Sequence, residues 1–403
     1  MKHPLLRMIF ERREASRELW QRNLMVLWFA QFVAMIGMSA VLPFLPLYVR
    51  DLGVAPQDAA FWSGLINAAP FITSSILTPV WGAMGDRYGQ KTMVIRAVIG
   101  LGVTVALMGF APNVWVLLIL RLLQGAVSGF ISANNAFVST QTPTQHAGMA
   151  LSTLQTSVAA GTVVGPLLGG TISDAFGANV VFFVVGALCA VSSYILWTKL
   201  VEERVVRSGQ PPHVWRNMGV VIRDPMLRWL LLTLFIVQTA LMLPSPIYPY
   251  YIAELGAPPS LLSSITGTIV SLVGIMSVIS GPWWGARSDR LGFQPTMMAA
   301  AGVVTLGMLA QAFVPSYHWL FPIRAIMGIA TGALQPLVFG ELTRRAPTGR
   351  KGGIMGMASS ATLAGNLTGP LMCAAIAPWL PLWMMFVVSA MTMLSVVMIA
   401  RRR

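Results

Sequence analysis

Uncharged apolar runs long enough to cross a lipid bilayer recur along almost the whole chain, and no other feature limits its fold so strongly. A helix rises about 1.5 Å per residue, so roughly 20 apolar residues span the hydrocarbon. Runs of that size or longer occupy 23–49, 59–85, 97–120, 147–173, 175–198, 229–253 and 255–286. The run 352–400 holds two spans, with Pro378 and Pro381 at the turn between them. Arg121 and Arg324 each interrupt one further apolar segment. Together these predict twelve helices, at 24–49, 60–84, 92–111, 114–138, 148–173, 178–199, 227–251, 260–285, 296–314, 317–341, 352–377 and 381–400. The class is all-α integral membrane. Composition agrees: 56% of the 403 residues are hydrophobic and only 10% charged, where a soluble domain carries about 25%.

The formal charge of +14 could suggest a nucleic-acid partner, but its distribution does not. Of the 27 Lys and Arg residues, 24 lie in the termini and alternate connections, and one, Arg50, lies in the opposite set. Arg121 and Arg324 stay inside the membrane. By the positive-inside rule both termini and the 82–91 connection face the cytoplasm, as in a multi-pass protein of the cytoplasmic (inner) membrane. Residues 1–22 form a basic segment, read either as lying on the lipid surface or as a solvated tail, that feeds an uncleaved first span. The expected units are bundles at 23–199 and 227–400, a central loop at 200–226 and a tail at 401–403. Asp224 and Pro225 supply an N-cap and first turn for the seventh helix. Cys189 and Cys373 sit within apolar segments and are expected to pack, not to form a disulfide.

The halves echo each other at an offset of 203 residues. Gly82, Asp86, Arg87 and Gly89 recur as Gly285, Asp289, Arg290 and Gly292. Pro43, Pro46, Tyr48, Leu52 and Gly53 recur as Pro246, Pro249, Tyr251, Leu255 and Gly256, and Arg121 and Gly125 as Arg324 and Gly328. At an offset of 204, Gly161, Gly165 and Pro166 recur as Gly365, Gly369 and Pro370. Duplicated six-helix units, related as two pseudo-symmetric bundles with substrate held near the midplane, are a transporter architecture.

These residues also resemble a known family. Gly82-x3-Asp86-Arg87-x-Gly89-x-Lys91 is similar to the signature loop between helices 2 and 3 of the major facilitator superfamily. Gly161-x3-Gly165-Pro166-x2-Gly169-Gly170 resembles the helix 5 antiporter motif of its drug:proton antiporters. Ile36-Gly37-x5-Pro43-x2-Pro46 and Arg121-x2-Gln124-Gly125 resemble helix 1 and helix 4 motifs of the twelve-helix branch, bacterial multidrug resistance proteins among them. The resemblance implies export of lipophilic drugs or toxic compounds by alternating access, in exchange for protons and without a cofactor. It also implies a role for Arg121 in proton coupling, and more weakly for Arg324.

The signature loop has a mechanical reading. A carboxylate at a helix N-terminus is stabilised by the helix dipole, so Asp86 can clamp helix 2 to the start of helix 11 on the cytoplasmic side. The family's aspartate is understood to act this way. Gly82, Asp86, Arg87, Gly89 and Lys91 form one latch, and Gly285, Asp289 and Arg290 a weaker one aimed at the start of helix 5 near Gly148. Gln294 and Pro295 stand where further cations could follow.

Arg121 lies roughly 12 Å below Asn113, a depth at which a charge costs about 2.5–3.5 kcal/mol on insertion scales. Arg121, Gly125, Ser128, Ser132 and Asn135 share one helical face, and Arg324, Gly328, Thr331 and Gln335 repeat it. Either the two stripes line a wet path, or the arginines tie neighbouring carbonyls. Gln31, Asn67, Gln124, Gln155, Gln238, Gln335 and Asn366, with 25 methionines, suit an adaptable lipophilic cavity, although methionine is also ordinary membrane filler. Gly161, Gly165, Gly169 and Gly170 allow close helix approach and Pro166 bends its helix. Tyr48, Tyr250 and Tyr251 are expected as interfacial aromatics.

All 13 acidic residues fall in loops or at helix ends. A cavity with two arginines and no carboxylate should prefer neutral or anionic lipophilic compounds. Any proton carrier must then be peripheral, with Asp51, Glu254, Asp86 and Glu341 as candidates beside Arg121. Simple solvation of the outer carboxylates remains the alternative. Gly85–Thr92 lacks a glycine directly before Lys91, so it is no phosphate loop. The histidines at 3, 146, 213 and 318 are peripheral, which argues against an enzyme or a metal site. A carrier of one metabolite class, such as a sugar or amino acid, is the second reading. The expected unit is a monomer.

Overall fold

The structure, a computed structural model, describes residues 4–143, 145–203, 223–347 and 351–401, with side chains described except at 4–18, 79, 86, 351 and 352. Among these residues the chain is helical and has no strand. Span 1 is α1 (Pro4–Ser39) with the short α2 (Leu45–Asp51), and spans 2 and 3 are α3 (Pro56–Tyr88) and α4 (Gln90–Met108). Span 4 divides into α5 (Val114–Val127) and α6 (Phe130–Gln141), followed by α7 (Ala147–Phe176) and α8 (Ala178–Lys199). The second half runs α9 (Pro225–Met242) with α10 (Tyr248–Glu254), α11 (Leu262–Leu291), α12 (Phe293–Ala312), α13 (Leu320–Arg345), α14 (Lys351–Ile376) and α15 (Leu382–Arg401). Eleven spans among the described residues have the length and hydropathy to cross a membrane. The twelfth, α14, has 26 residues and a composition diluted by Ser359, Ser360 and Asn366.

Local chemistry sets several boundaries. The Asp224 carboxylate accepts the backbone N–H groups of Met226 at 2.8 Å and Leu227 at 3.2 Å, with Pro225 in the first turn, as expected for an N-cap. Gly89 and Gly292 reverse the chain at φ 95° and 89°, a region open mainly to glycine. Each half builds an apolar cluster, that of the second also taking in Ala60 of the first, and Cys189 and Cys373 are buried and unpaired. Residues 4–18 continue α1 as helix, and most of the central loop lies outside the described residues.

The duplication extends to individual hydrogen bonds. The Tyr48 hydroxyl donates to the Met108 carbonyl at 2.9 Å, and Tyr251 donates to Gln311 at 2.5 Å, both shifted by 203 residues. Trp81 Nε1 donates to the Ala126 carbonyl at 2.7 Å, and Trp284 to Ile329 at 2.6 Å. A Cβ on Gly125 would strike the Pro70 carbonyl at 2.1 Å, and one on Gly328 the Val273 carbonyl at 2.8 Å. The tyrosines are therefore not interfacial: Tyr48, Tyr250 and Tyr251 are 4%, 8% and 3% exposed, and their hydroxyls bond inside the protein.

One expected continuity fails. Span 4 breaks at Ser128 and Gly129, where Gly129 takes φ 107°, so Arg121 and Asn135 do not share one helical face. Arg96 holds the broken end. Its Nη2 donates to the Ser128 carbonyl at 3.1 Å and its guanidinium lies 3.6 Å from the centre of the Trp81 ring. In the second half Ala299 stands at the Arg96 position, and α13 runs unbroken past Gly332. Spans 1 and 7 also break, between Ser39 and Leu45 and between Met242 and Tyr248, next to the paired prolines.

Candidate functional site

Every hydrogen bond between the halves, among the described residues, lies between the middle of the spans and the end remote from the basic connections. Asp174, in the last turn of α7, accepts the backbone N–H groups of Ser263 at 3.1 Å and Ser264 at 2.6 Å, which begin α11. Ser173 Oγ donates to Ser263 Oγ at 3.4 Å, and Ser271 Oγ donates to the Val163 carbonyl at 2.6 Å. The Tyr250 hydroxyl donates to the Pro46 carbonyl and lies 3.1 Å from Ser63 Oγ. Backbones meet directly here: a Cβ on Gly170 would lie 2.3 Å from the Ser263 carbonyl, and one on Gly267 2.1 Å from the Pro166 carbonyl. On the other flank a Cβ on Gly64 would lie 2.6 Å from the Pro370 carbonyl.

The antiporter-like glycines thus have two partners. A Cβ on Gly161 would lie 2.5 Å from Met35 Cβ, and one on Gly169 1.9 Å from the Ala40 carbonyl, so these residues seat α7 on α1. Gly165 does the same, with Ser39 Oγ and the Ile36 carbonyl against it. Gly170 and the Pro166 carbonyl face α11 in the other half.

At the basic end the described bonds of Lys91 stay within its own half. Lys91 Nζ donates to the carbonyls of Trp197 at 3.0 Å and Leu200 at 2.6 Å. The Glu202 carboxylate accepts the N–H groups of Gln90 at 2.8 Å and Lys91 at 3.0 Å, capping α4 in a way no motif announced. Gln294, at the Lys91 position of the second half, donates to the Ala400 carbonyl at 2.5 Å. The Asp86 side chain lies outside the described residues. Asp289 and Arg290 are exposed, and Asp289 has no hydrogen bond or ion pair among the described residues, so the clamp expected near Gly148 is not made in this conformation. Gly82, Arg87 and Gly285 are exposed as well.

The two membrane arginines differ in company. Arg324 lies 4.0 Å from the centre of the Tyr248 ring, whose hydroxyl donates to Gln311 Oε1 at 2.9 Å. Leu45 occupies the Tyr248 position of the first half. Arg121, only 5% exposed, donates from Nη1 to Gln124 Oε1 at 3.0 Å and leaves Nε and Nη2 without partners. Such N–H groups in a dry interior favour an anionic or carbonyl-bearing guest.

Other candidates fall into distinct groups. Gln31 accepts from Asn134 Nδ2 at 2.7 Å and donates to the Leu154 carbonyl at 3.2 Å. Gln238, Gln335 and Asn366 join in one chain, with bonds of 2.6 and 2.5 Å. Ser128, Ser132 and Thr331 spend their hydroxyls on the carbonyls of Gly125, Gly129 and Met327. Asn67 folds back on the Ser63 carbonyl at 2.8 Å, Asn135 keeps an unpartnered Oδ1, and Gln155 is exposed. Asp51 and Glu254 are exposed, with no hydrogen bond or ion pair among the described residues. Glu341 is buried beside Arg345, which donates to it, and lies 4.0 Å from Arg344. Asn134, Asp174, Glu202 and Tyr248 escaped the motif reading because each acts through a partner distant in sequence.

Two like halves, joined at one end and holding buried polar groups between membrane helices, define a secondary transporter. The chain belongs to the major facilitator superfamily, whose profile matches residues 27–265 and 230–403. It is 36% identical over 360 residues to the multidrug resistance protein MdtG of Citrobacter koseri, covering 89% of this chain and 88% of that protein. The MdtG proteins of Escherichia coli (strain 55989 / EAEC) and Proteus mirabilis are 35% and 33% identical, each over 89% of this chain, with 88% and 90% of their own lengths covered. Among solved structures, the fold matches the nucleoside transporter NupG with a TM-score of 0.77 at 13% identity, covering 94% of this chain and 98% of that one. It also matches a bacterial homologue of the human lysosomal transporter Spinster, in an inward-facing and occupied conformation, with a TM-score of 0.77 at 15% identity, covering 94% and 96%.

Proposed function

We propose that this multi-pass membrane protein exports lipophilic drugs or toxic compounds across the cytoplasmic membrane by alternating access, in exchange for protons. The observation that carries the reading is the placing of the cross-half hydrogen bonds from mid-span to the outer end in a chain similar to multidrug resistance proteins over 89% of its length. With the basic connections on the cytoplasmic side, both termini are inside, and the cross-half bonds of Asp174 and Tyr250 lie toward the outer face. Arg121, Gln124 and Arg324 offer N–H donors and no carboxylate, which supports neutral or anionic substrates over permanent cations.

The asymmetric latches support the switch between states. Asp86 closes the inner end when the outer end opens, with Gly82, Arg87, Gly89 and Lys91 shaping its loop. Proton exchange falls to peripheral carboxylates. Asp51 and Glu254 occupy matching outer positions and are exposed, whereas Glu341 is already engaged by arginine. Growth of an efflux-deficient host on unrelated toxic compounds, with and without the protein, tests export. Protection against several of them supports it, and protection against none overturns it. In proteoliposomes with an imposed pH gradient, Asp51→Asn with Glu254→Gln should abolish gradient-driven uptake, and unchanged uptake would remove that pair from proton coupling.

A further inference from the structure

Three amide side chains from three spans of the second half form a single hydrogen-bonded chain. Gln335 Nε2 on α13 donates to Gln238 Oε1 on α9 at 2.6 Å, and Gln238 Nε2 donates to Asn366 Oδ1 on α14 at 2.5 Å. Each bond uses one donor and one acceptor, so the chain keeps a direction. Its acceptor end is Gln335 Oε1 and its donor end is Asn366 Nδ2. Neither end atom has a partner among the described residues, and Gln335 and Asn366 are half-buried.

Polar clusters that only hold helices together look different in this protein. Gln31 is fully buried and uses both ends of its amide, on Asn134 and Leu154, and that cluster leaves one end unpaired, the buried Asn134 Oδ1. Gln311, also fully buried, accepts from Tyr248 and donates to the Gly307 carbonyl. The Gln335–Gln238–Asn366 chain is left open at both ends. It also has no equivalent in the first half, where Met35, Ser132 and Thr162 hold the matching positions. Asn366 lies one turn, about 6 Å, from Pro370, whose carbonyl packs against Gly64 of the other half. The amides therefore sit about one helical turn from a direct contact between the halves.

We propose that this chain of amides is a substrate subsite that recognises an uncharged group carrying both an N–H and a C=O, as in an amide, lactam or carbamate. The inference rests on the export reading and names the substrate chemistry that the second half selects. The guest's N–H pairs with Gln335 Oε1 and its C=O with Asn366 Nδ2. An ester of the same shape satisfies one end only and strands an acceptor in a site of low dielectric, where an unmade bond is costly. The discrimination should be about tenfold or more in Kd.

The test uses the purified full-length protein and two fluorescent uncharged probes of matched shape, N-methyl-2-naphthamide and methyl 2-naphthoate. The native protein should bind the amide at least about tenfold more tightly than the ester. Gln335→Met, which keeps volume and removes the acceptor end, should lose the amide preference, and Asn366→Leu, which removes the donor that both probes use, should weaken both. Equal native affinities would overturn the subsite, and so would an amide preference that survives Gln335→Met. The native comparison needs no variant, so a misfolded variant leaves it decisive. Failure of the native protein to bind either probe would overturn the subsite, whereas the export reading falls only if the growth assay shows no protection, so the two failures are distinct.

Discussion

Asp174 accepts the backbone N–H of Ser264 at 2.6 Å, so a carboxylate at the end of α7 in one half caps the first turn of α11 in the other. Its second oxygen takes the Ser263 N–H at 3.1 Å. Negative charge at a helix N-terminus is favourable, and hydrogen bonds to charged groups exceed neutral ones. The family resemblance assigns this kind of cap to Asp86 at the basic end. In this conformation the same physics operates at the opposite end, through a residue outside every motif.

Asp174→Asn keeps an acceptor and removes the charge, which should weaken closure by about 1–2 kcal/mol. The population open at that end would rise roughly 5–30-fold. Spin labels on Asp58→Cys and Leu261→Cys, with buried Cys189 and Cys373 left in place, would read it as a longer-distance component. An unchanged distance distribution would exclude a latch.

Gly170→Ala and Gly267→Ala should prevent closure more completely, because the new methyl groups would meet backbone carbonyls at 2.3 and 2.1 Å. Backbone cannot rotate away as a side chain can. Transport should fall to background while the folded protein is retained. Gly281→Ala, with nothing within 4 Å of its added Cβ, should transport normally. Normal transport by the Gly170 and Gly267 variants would show that this approach is dispensable.

Arg96→Leu should loosen the break in span 4. It removes a charge-assisted bond to the Ser128 carbonyl and the stack on Trp81, together worth about 2 kcal/mol. Amide exchange at residues 127–131 should speed up, with little change in the continuous α13. Equal protection in the native and variant proteins would count against the cap.

Asp86→Asn should impair transport more than Asp289→Asn. The first loop is braced by Lys91 and Glu202, whereas the second, among the described residues, is held by the Gln294 bond to Ala400. Initial export rates of the two variants at matched expression test this, and equal losses would refute the asymmetry.

Much of the molecule was legible because membrane helices must be apolar for about 20 residues and close their own backbone hydrogen bonds. Twelve spans, the two-fold repeat and the Asp224 cap all follow from local sequence. The repeat holds at individual bonds, since Tyr48 and Tyr251, and Trp81 and Trp284, reach carbonyls at the same offset. The site was less legible. Arg121 and Arg324 look alike in sequence, but Tyr248 covers only the second, because Leu45 stands opposite the first.

The sequence by itself determined the class, the number of spans and their duplication, because bilayer thickness and loop charge act on each segment alone. Which end of the cleft is shut was decided only by tertiary structure. So were the Asp174 cap, the Arg96 brace at Gly129 and the open chain of Gln238, Gln335 and Asn366. Each depends on groups 32 to 128 residues apart meeting at hydrogen-bond distance. No local period or motif encodes such a meeting; it arises when packed helices bring distant polar groups together where water cannot satisfy them.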